Sequence, residues 1–379
     1  MTKPKVMTIF GTRPEAINMT TIVKKLKEEK KLHNIVTVTA QHREMLDQVL
    51  NLFDIQTDYD LDIMEESQSL TDITVRVLQG LKEVYIKEKP DLVLVHGDTS
   101  TTFVGALASF YQNIKIGHVE AGLRTYDKYS PFPEEMNRHL TGVLADFHFA
   151  PTETSQINLI EENVPSENIF VTGNTVIDAL LETVDDNYNF NNSVLSQIQF
   201  NKRKIILLTA HRRENLGKPL EEIFKAVKFI VKKNENTEVI FPVHLNPRVR
   251  KPAEKILGKL DRIHLIEPLD YEPFANLMAR SDLILTDSGG IQEEAPGLGK
   301  PVLVLRNTTE RPEAVKAGTV KLVGTDKVKI KENMQKLLND KNEYEKMANS
   351  INPYGDGKAS DRIRNHILNE FKYKGKTAA

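Results

Sequence analysis

The sequence contains no cysteine, which excludes disulfides, thiolate metal sites and thiol nucleophiles. It also lacks any apolar run approaching the roughly 18 residues that a membrane-spanning helix needs. Nor is one sign of charge in excess. Lys and Arg number 51 against 53 Asp and Glu, for a net charge of −2, and no long basic block exists. Such a balance gives no electrostatic support to a nucleic-acid or anionic-membrane surface. No signal peptide is expected either, since the strand-like run Lys5-Val6-Met7-Thr8-Ile9-Phe10 starts at once, without a cleavable leader pattern. A cytoplasmic protein is expected.

What is present has the composition of an ordinary globular protein, 40% hydrophobic and 27% charged over 379 residues. That length exceeds what one core usually supports, so two domains are expected. Short Val/Ile/Leu-rich runs predict strands at 5–10, 35–40, 92–96, 115–119, 147–150 and 169–172. A second series falls at 204–209, 238–243, 263–267, 283–286, 302–305 and 320–323. Several are continuously apolar, as parallel strands covered on both faces require. Stretches at 71–88, 219–233 and 328–339 carry apolar residues at helical spacing. This alternation predicts two doubly wound parallel sheets of α/β class. The polar, Asn-rich segment 185–192 lies in the break between them, at about 170–203.

Ligands of open parallel sheets sit beyond the carboxyl ends of the strands. The residues there are informative. Run 5–10 ends in Gly11-Thr12-Arg13-Pro14-Glu15, a turn entering a helix, where Arg13 would welcome an anion. Run 92–96 ends in Gly97-Asp98, and run 115–119 in Glu120-Ala121-Gly122. Asp98 has a bland reading as a helix cap, whereas Glu120 is a poor cap. A Pro-stiffened loop delivers Glu134 and Glu135 to a helix start. Acids are at home there anyway, and Glu135 fits that structural reading better than a functional one. In the second half, run 204–209 opens onto His211-Arg212-Arg213, and run 238–243 ends at His244. Finally Asp287-Ser288-Gly289-Gly290 starts a helix carrying Glu294. Two glycines permit close backbone approach, and free N–H groups suit phosphate oxygens. Ser-Gly-Gly alone is equally an ordinary turn. Set beside Glu294, Arg311 and an opposing acidic half, it predicts a nucleotide diphosphate cradle in an interdomain cleft.

The motifs GTRPEAI (11–17), VHGDTSTT (95–102), GHVEAGLR (117–124), SPFPEEMNR (130–138), AHRREN (210–215), PVHLNP (242–247), LTDSGGIQEEAP (285–296) and TTERPEA (308–314) resemble the non-hydrolysing UDP-N-acetylglucosamine 2-epimerases of bacteria. TGNTVIDAL (172–180) and NPYGDG (352–357) extend the resemblance over nearly the whole chain. It implies a GT-B architecture: two Rossmann-like domains with the active site in the cleft between them. The expected domains are 1–170 plus 356–379, with a returning C-terminal helix, and 171–355. The implied reaction interconverts UDP-GlcNAc and UDP-ManNAc through loss and re-addition of UDP, with no cofactor and no metal. Its product supplies surface polysaccharides.

By the same resemblance Asp98, Glu120, Glu134 and His211 are catalytic. Arg13, Asn18, Leu269, Phe274, Ser288, Gly289, Gly290, Glu294 and Arg311 match substrate-binding positions. Gln41, Gln68, Arg212 and His244 match a second site, where UDP-GlcNAc acts as activator and to which Glu134 also contributes. A homodimer is implied. Two departures are visible: Asn18 stands where the family commonly carries lysine, and Glu44 replaces a glutamine of the second site. A hydrolysing epimerase, a glycosyltransferase of the same architecture and a catalytically silent sugar-nucleotide sensor are the alternatives. Retention of the C1–UDP bond in the product separates the first from the favoured reading, an acceptor pocket would mark the second, and the four intact catalytic positions speak against the third.

Overall fold

The apolar runs become buried parallel strands in a computed structural model that describes residues 3–377. The outermost residues of the expected first domain, 1–2 and 378–379, lie outside the described residues. Contacts divide the chain into two compact units, 1–179 with 354–379 and 180–353.

In unit 1 the strands are β1 (Lys5–Phe10), β2 (His33–Val38), β3 (Tyr59–Asp60), β4 (Leu92–His96), β5 (Lys115–Val119), β6 (Phe147–Ala150) and β7 (Ile169–Val171). The helices are α1 (Arg13–Glu28), α2 (Arg43–Leu52), α3 (Leu70–Glu88), α4 (Ser100–Tyr111), α5 (Glu134–Leu144), α6 (Glu153–Glu161) and α7 (Thr175–Thr183), the last spanning the division between units. All strand pairs are parallel, in the order β3-β2-β1-β4-β5-β6-β7. β4, Leu-Val-Leu-Val-His, is buried at every position because helices cover both faces. Tyr59–Asp60 forms a strand that its sequence does not announce; two residues without alternation carry no period-2 signal.

Unit 2 repeats the plan. Its strands are β8 (Lys204–Thr209), β9 (Thr237–Pro242), β10 (Ile263–Ile266), β11 (Leu283–Thr286), β12 (Val302–Val304) and β13 (Val320–Leu322), in the order β10-β9-β8-β11-β12-β13, all parallel. Its helices are α8 (Lys218–Lys233), α9 (Pro247–Leu257), α10 (Tyr271–Ala279), α11 (Ile291–Gly297), α12 (Pro312–Ala317), α13 (Lys327–Asn339) and α14 (Lys341–Ala348). α8 shows why it docks: Leu220, Ile223, Phe224, Val227, Ile230 and Val231 form one buried stripe at helical spacing. They join Ile206, Leu208, Phe241 and Leu285 in the core of the unit.

Helix α15 (Ala359–Thr377) belongs to unit 1. Asp178 accepts its first N–H groups, from Ala359 (3.1 Å) and Ser360 (2.8 Å), and Thr21 and Ser360 share a hydroxyl hydrogen bond of 2.7 Å. These contacts tie the start of α7 to unit 1 and accompany a division at 179/180, inside the break at about 170–203 read from composition and later than the 170/171 that the resemblance implies. The Asn-rich segment is ordered on unit 2. The Arg280 guanidinium lies 5.3 Å from the Phe190 ring and 5.7 Å from the Phe200 ring, and donates to the carbonyls of Asp186 and Tyr188.

Each sheet reverses its direction of growth once, between β1 and β4 in unit 1 and between β8 and β11 in unit 2. Crossovers leave in opposite directions at such a point, so a crevice opens beyond the strand ends. Arg13 and Asp98 follow β1 and β4; His211 and Ser288–Gly290 follow β8 and β11.

Candidate functional site

Asp98 is not the cap of α4. Thr99 takes that place, its hydroxyl accepting from the N–H of Thr102 at 3.1 Å. The Asp98 side chain is instead held from α5. Arg138, itself buried, donates from Nη2 to Asp98 Oδ2 at 2.5 Å, and Asn137 Nδ2 donates to the Asp98 carbonyl at 2.9 Å. Burial pushes the Asp98 carboxyl above its ordinary range; Arg138 opposes this, while the neighbouring Glu120 and Glu134 reinforce it. The structure therefore brings three predicted acids together, with Arg138 holding Asp98 among them.

Glu120 follows β5 in a left-handed conformation, φ 62°. This turns its side chain away from the strand direction, so that Oε2 accepts from Asn174 Nδ2 at 3.0 Å and lies 3.7 Å from His96 Nε2. Next to it, Gly97 (φ 69°) presents its carbonyl to His118 Nε2 at 2.7 Å. Glu134 opens α5, partly exposed. Glu135, by contrast, is buried and accepts from the N–H groups of Thr125 and Tyr126, both at 3.0 Å. It shapes the preceding loop, as its structural reading expects.

Arg13 is the first residue of α1. Asn18 is buried one turn further on; its Nδ2 donates to the Pro14 carbonyl (3.1 Å), and its Oδ1 accepts from the Thr175 hydroxyl (3.0 Å). A neutral amide thus satisfies a neutral hydroxyl at this position. Gln41 accepts from the Thr101 hydroxyl at 3.1 Å, and Gln68 accepts from Arg76 at 3.3 Å.

In unit 2, fully buried Asp287 organises the mouth. Its Oδ2 accepts from the backbone N–H of His211 and of Arg212, both 2.9 Å, and from Asn215 Nδ2 at 3.0 Å. His211 stacks on His244, with ring centroids 5.3 Å apart and planes 10° from parallel. Burial pushes the His211 imidazole below its usual value, and the Asp287 carboxylate works against this. A side chain at Gly289 would put its Cβ 3.7 Å from Arg212 Nη2 and 4.0 Å from Arg311 Nη2. Two guanidiniums therefore flank this glycine, where a Cβ would meet both in ordinary van der Waals contact. At Gly290 a Cβ would lie 3.3 Å from Glu294 Oε1. Ser288 directs its own N–H to the Thr286 hydroxyl (2.9 Å), and Arg311 is ion-paired with Glu293. Leu269 and Phe274, both partly buried, lie just before and on α10.

Arg138 and Asn174 were given no role from sequence, and Asp287 stood there only as the first residue of the Ser-Gly-Gly turn. Arg138 had one legible signal: it follows Glu134 by four residues, on the same face of α5. Asn174 and Asp287 had none, since each acts on a residue far away in sequence. Among the described residues no group of three or more His, Asp or Glu side chains is arranged to hold a metal ion, and no helix is long and apolar enough to cross a membrane.

Comparison with known proteins adds the following. The family model described as UDP-N-acetylglucosamine 2-epimerase matches residues 24–368. The chain is 58% identical over 374 residues to the UDP-N-acetylglucosamine 2-epimerase of Bacillus subtilis, covering 99% of this chain and 97% of that one. A crystal structure of UDP-N-acetylglucosamine 2-epimerase superposes with a TM-score of 0.92 at 56% identity, over 98% of this chain and 97% of the other. The UDP-GlcNAc 2-epimerase of Neisseria meningitidis bound to UDP-GlcNAc gives a TM-score of 0.83 at 53% identity, covering 96% and 100%.

Proposed function

The chain belongs to the UDP-N-acetylglucosamine 2-epimerase family, and we propose that it interconverts UDP-GlcNAc and UDP-ManNAc without hydrolysis, in the cytoplasm and as a homodimer, supplying surface polysaccharide synthesis. The observation that carries the reading is the acid cluster of Asp98, Glu120 and Glu134 beside buried Arg138.

The chemistry explains the need for it. The C2 hydrogen of GlcNAc is not next to a carbonyl, so direct deprotonation is too costly. Elimination removes that difficulty. The C2 proton passes to a carboxylate, the C1–O bond to UDP breaks, and a C1=C2 bond forms, giving 2-acetamidoglucal and UDP. In the reverse addition a proton reaches the other face of C2 and a UDP oxygen returns to C1. Asp98 and Glu120 are the pair we assign to the C2 proton. A raised carboxyl pKa suits an acid that must both take and return a proton near neutrality. Glu134 and His211 assist the elimination or orient the sugar.

UDP gains negative charge as it leaves. Arg13, Arg311 and the Ser288–Gly290 turn would stabilise that charge as it develops, and Glu294 would take the ribose hydroxyls. Leu269 and Phe274 would hold the uracil. Gln41, Gln68, Glu134, Arg212 and His244 form the proposed second UDP-GlcNAc site, with Glu44 as an altered member. Both hydrogen-bond partners of Asn18 are neutral, and as a substrate contact it would bring no charge where a lysine would.

One experiment tests the core of the reading: UDP-GlcNAc with the protein in deuterated water, followed by NMR. Deuterium at C2, together with UDP-ManNAc that keeps its C1–UDP bond, is expected; accumulation of free UDP and ManNAc identifies the hydrolysing reaction instead. D98N should abolish the exchange, and retained exchange removes Asp98 from the mechanism. Run from UDP-ManNAc alone, turnover should be slow until a trace of UDP-GlcNAc is added; equal rates without it dismiss the second site.

A further inference from the structure

Glu15 matches none of the substrate-binding positions and was read from sequence as part of a turn, yet both its carboxylate oxygens are hydrogen-bonded. It is 1% exposed. Its Oε2 accepts from the N–H groups of Gly11 (3.0 Å) and Thr12 (2.8 Å) and from the Thr12 hydroxyl (2.8 Å). Its Oε1 accepts from the hydroxyls of Thr99 (2.7 Å) and Thr102 (3.0 Å). Helix capping accounts for the first oxygen, since an acid at the third helical position commonly reaches back to the residue before the helix. It does not account for the second oxygen, which crosses from β1–α1 to the turn between β4 and α4.

We propose that Glu15 is a positioning residue that locks the Arg13 turn and the Asp98 turn into one rigid unit. This rests on the reaction assigned above. Arg13 follows Thr12, and Asp98 precedes Thr99, so each oxygen of Glu15 grips the immediate neighbour of a functional side chain. These are the two strand ends at the reversal point of the sheet. A group meant to meet the departing phosphate and a group meant to meet C2 therefore share one buried anchor. A misplacement of 1 Å in such a constellation is costly, because near-attack geometry is lost before binding is.

The hydrogen-bond directions make the proposal selective among substitutions. In E15Q the amide oxygen can still accept from the Gly11 and Thr12 N–H groups, while its NH2 donates to Thr99. The Thr99 hydroxyl then donates to Thr102, 3.1 Å away, and the single Thr102 hydroxyl proton, no longer taken by Glu15, goes to the His96 carbonyl. Every member of the chain stays satisfied. E15D keeps the charge but is one methylene too short to reach both turns.

The test combines hydrogen exchange with kinetics on the full chain for the wild type, E15Q, E15D and E15A. In E15D and E15A, amide exchange should accelerate in both segments 10–14 and 97–103. In the same variants kcat should fall about a hundredfold while KM stays within about threefold, with E15Q within about threefold of wild type in both. If E15A does not fold, E15D carries the test. Acceleration confined to 10–14 would reduce Glu15 to a helix cap and overturn the proposal, as would an unchanged kcat in E15D. If the wild type itself interconverts nothing while exchange in E15D loosens both turns, the assigned reaction fails and the clamp stands.

Discussion

Arg138 and Asp98 show how single residues set the chemistry. The carboxylate is buried beside two other acids, and both burial and those neighbours favour its protonated form. Arg138 supplies the opposition at 2.5 Å, from a helix whose start also delivers Glu134. Replacing it by an apolar side chain of similar length, R138M, removes the counter-charge. The Asp98 pKa should then rise further, and less of the ionised base should be present at a given pH. The expected result is a kcat lowered by about 10²- to 10⁴-fold, the range for a displaced acid–base group, with the ascending limb of the pH–rate profile moved to higher pH. An unmoved limb would show that Arg138 does not tune Asp98. The sequence showed the three acids at strand ends or a helix start, and the family resemblance singled them out as catalytic. It did not reveal their restraints. Asn174 grips Glu120 from 54 positions away, and Asp287 grips the turn at His211 and Arg212 from about 75.

At the level of elements, strands β5 and β6 carry a pH liability. His118 and His148 stand directly opposite each other in register and are both buried. Burial pushes His118 from 6.5 down to about 3 and His148 down to about 4; for His118 the hydrogen bond to the Gly97 carbonyl works the other way. Both folded values lie below the unfolded one, so the unfolded chain takes up protons first as pH falls. Stability from this pair is complete above about pH 6.5 and is lost from there down to about pH 3–4. Urea titrations should show the unfolding midpoint falling through that window, and H148F should flatten part of the fall. A midpoint constant from pH 7 to pH 4.5 would contradict the account. Strand positions in this region were plain from the sequence, since Val, Ile and Phe runs need no partner to be recognised. The register that sets two histidines face to face was not, because it depends on which strands become neighbours.

For the molecule as a whole, the proposal concerns apolar side chains that unit 1 leaves in solvent. Met136, Leu140 and Val143 lie on one side of α5, and Val143 is 83% exposed. Phe110 and Tyr111, at the end of the adjacent α4, are 57% and 60% exposed. An apolar group of this kind on a folded unit is costly to leave in water. The proposed homodimer would cover it. Light scattering should return twice the 43.0 kDa chain mass, and L140E combined with V143E should return one chain mass with helix content unchanged. A wild-type monomer at micromolar concentration would dismiss the dimer.

The sequence by itself determined the two α/β units, the order of their strands along the chain and the residue types at the strand ends. Those follow from local physics: apolar runs become covered strands, helical spacing makes helices, and glycines and acids mark the turns. The tertiary structure alone decided which strand ends meet at the reversal points of the two sheets. It also decided that a buried glutamate bridges two turns, that an arginine rather than a helix end holds Asp98, and that two guanidiniums flank Gly289. These contacts join residues dozens of positions apart, and their geometry comes from packing, on which local propensity is silent.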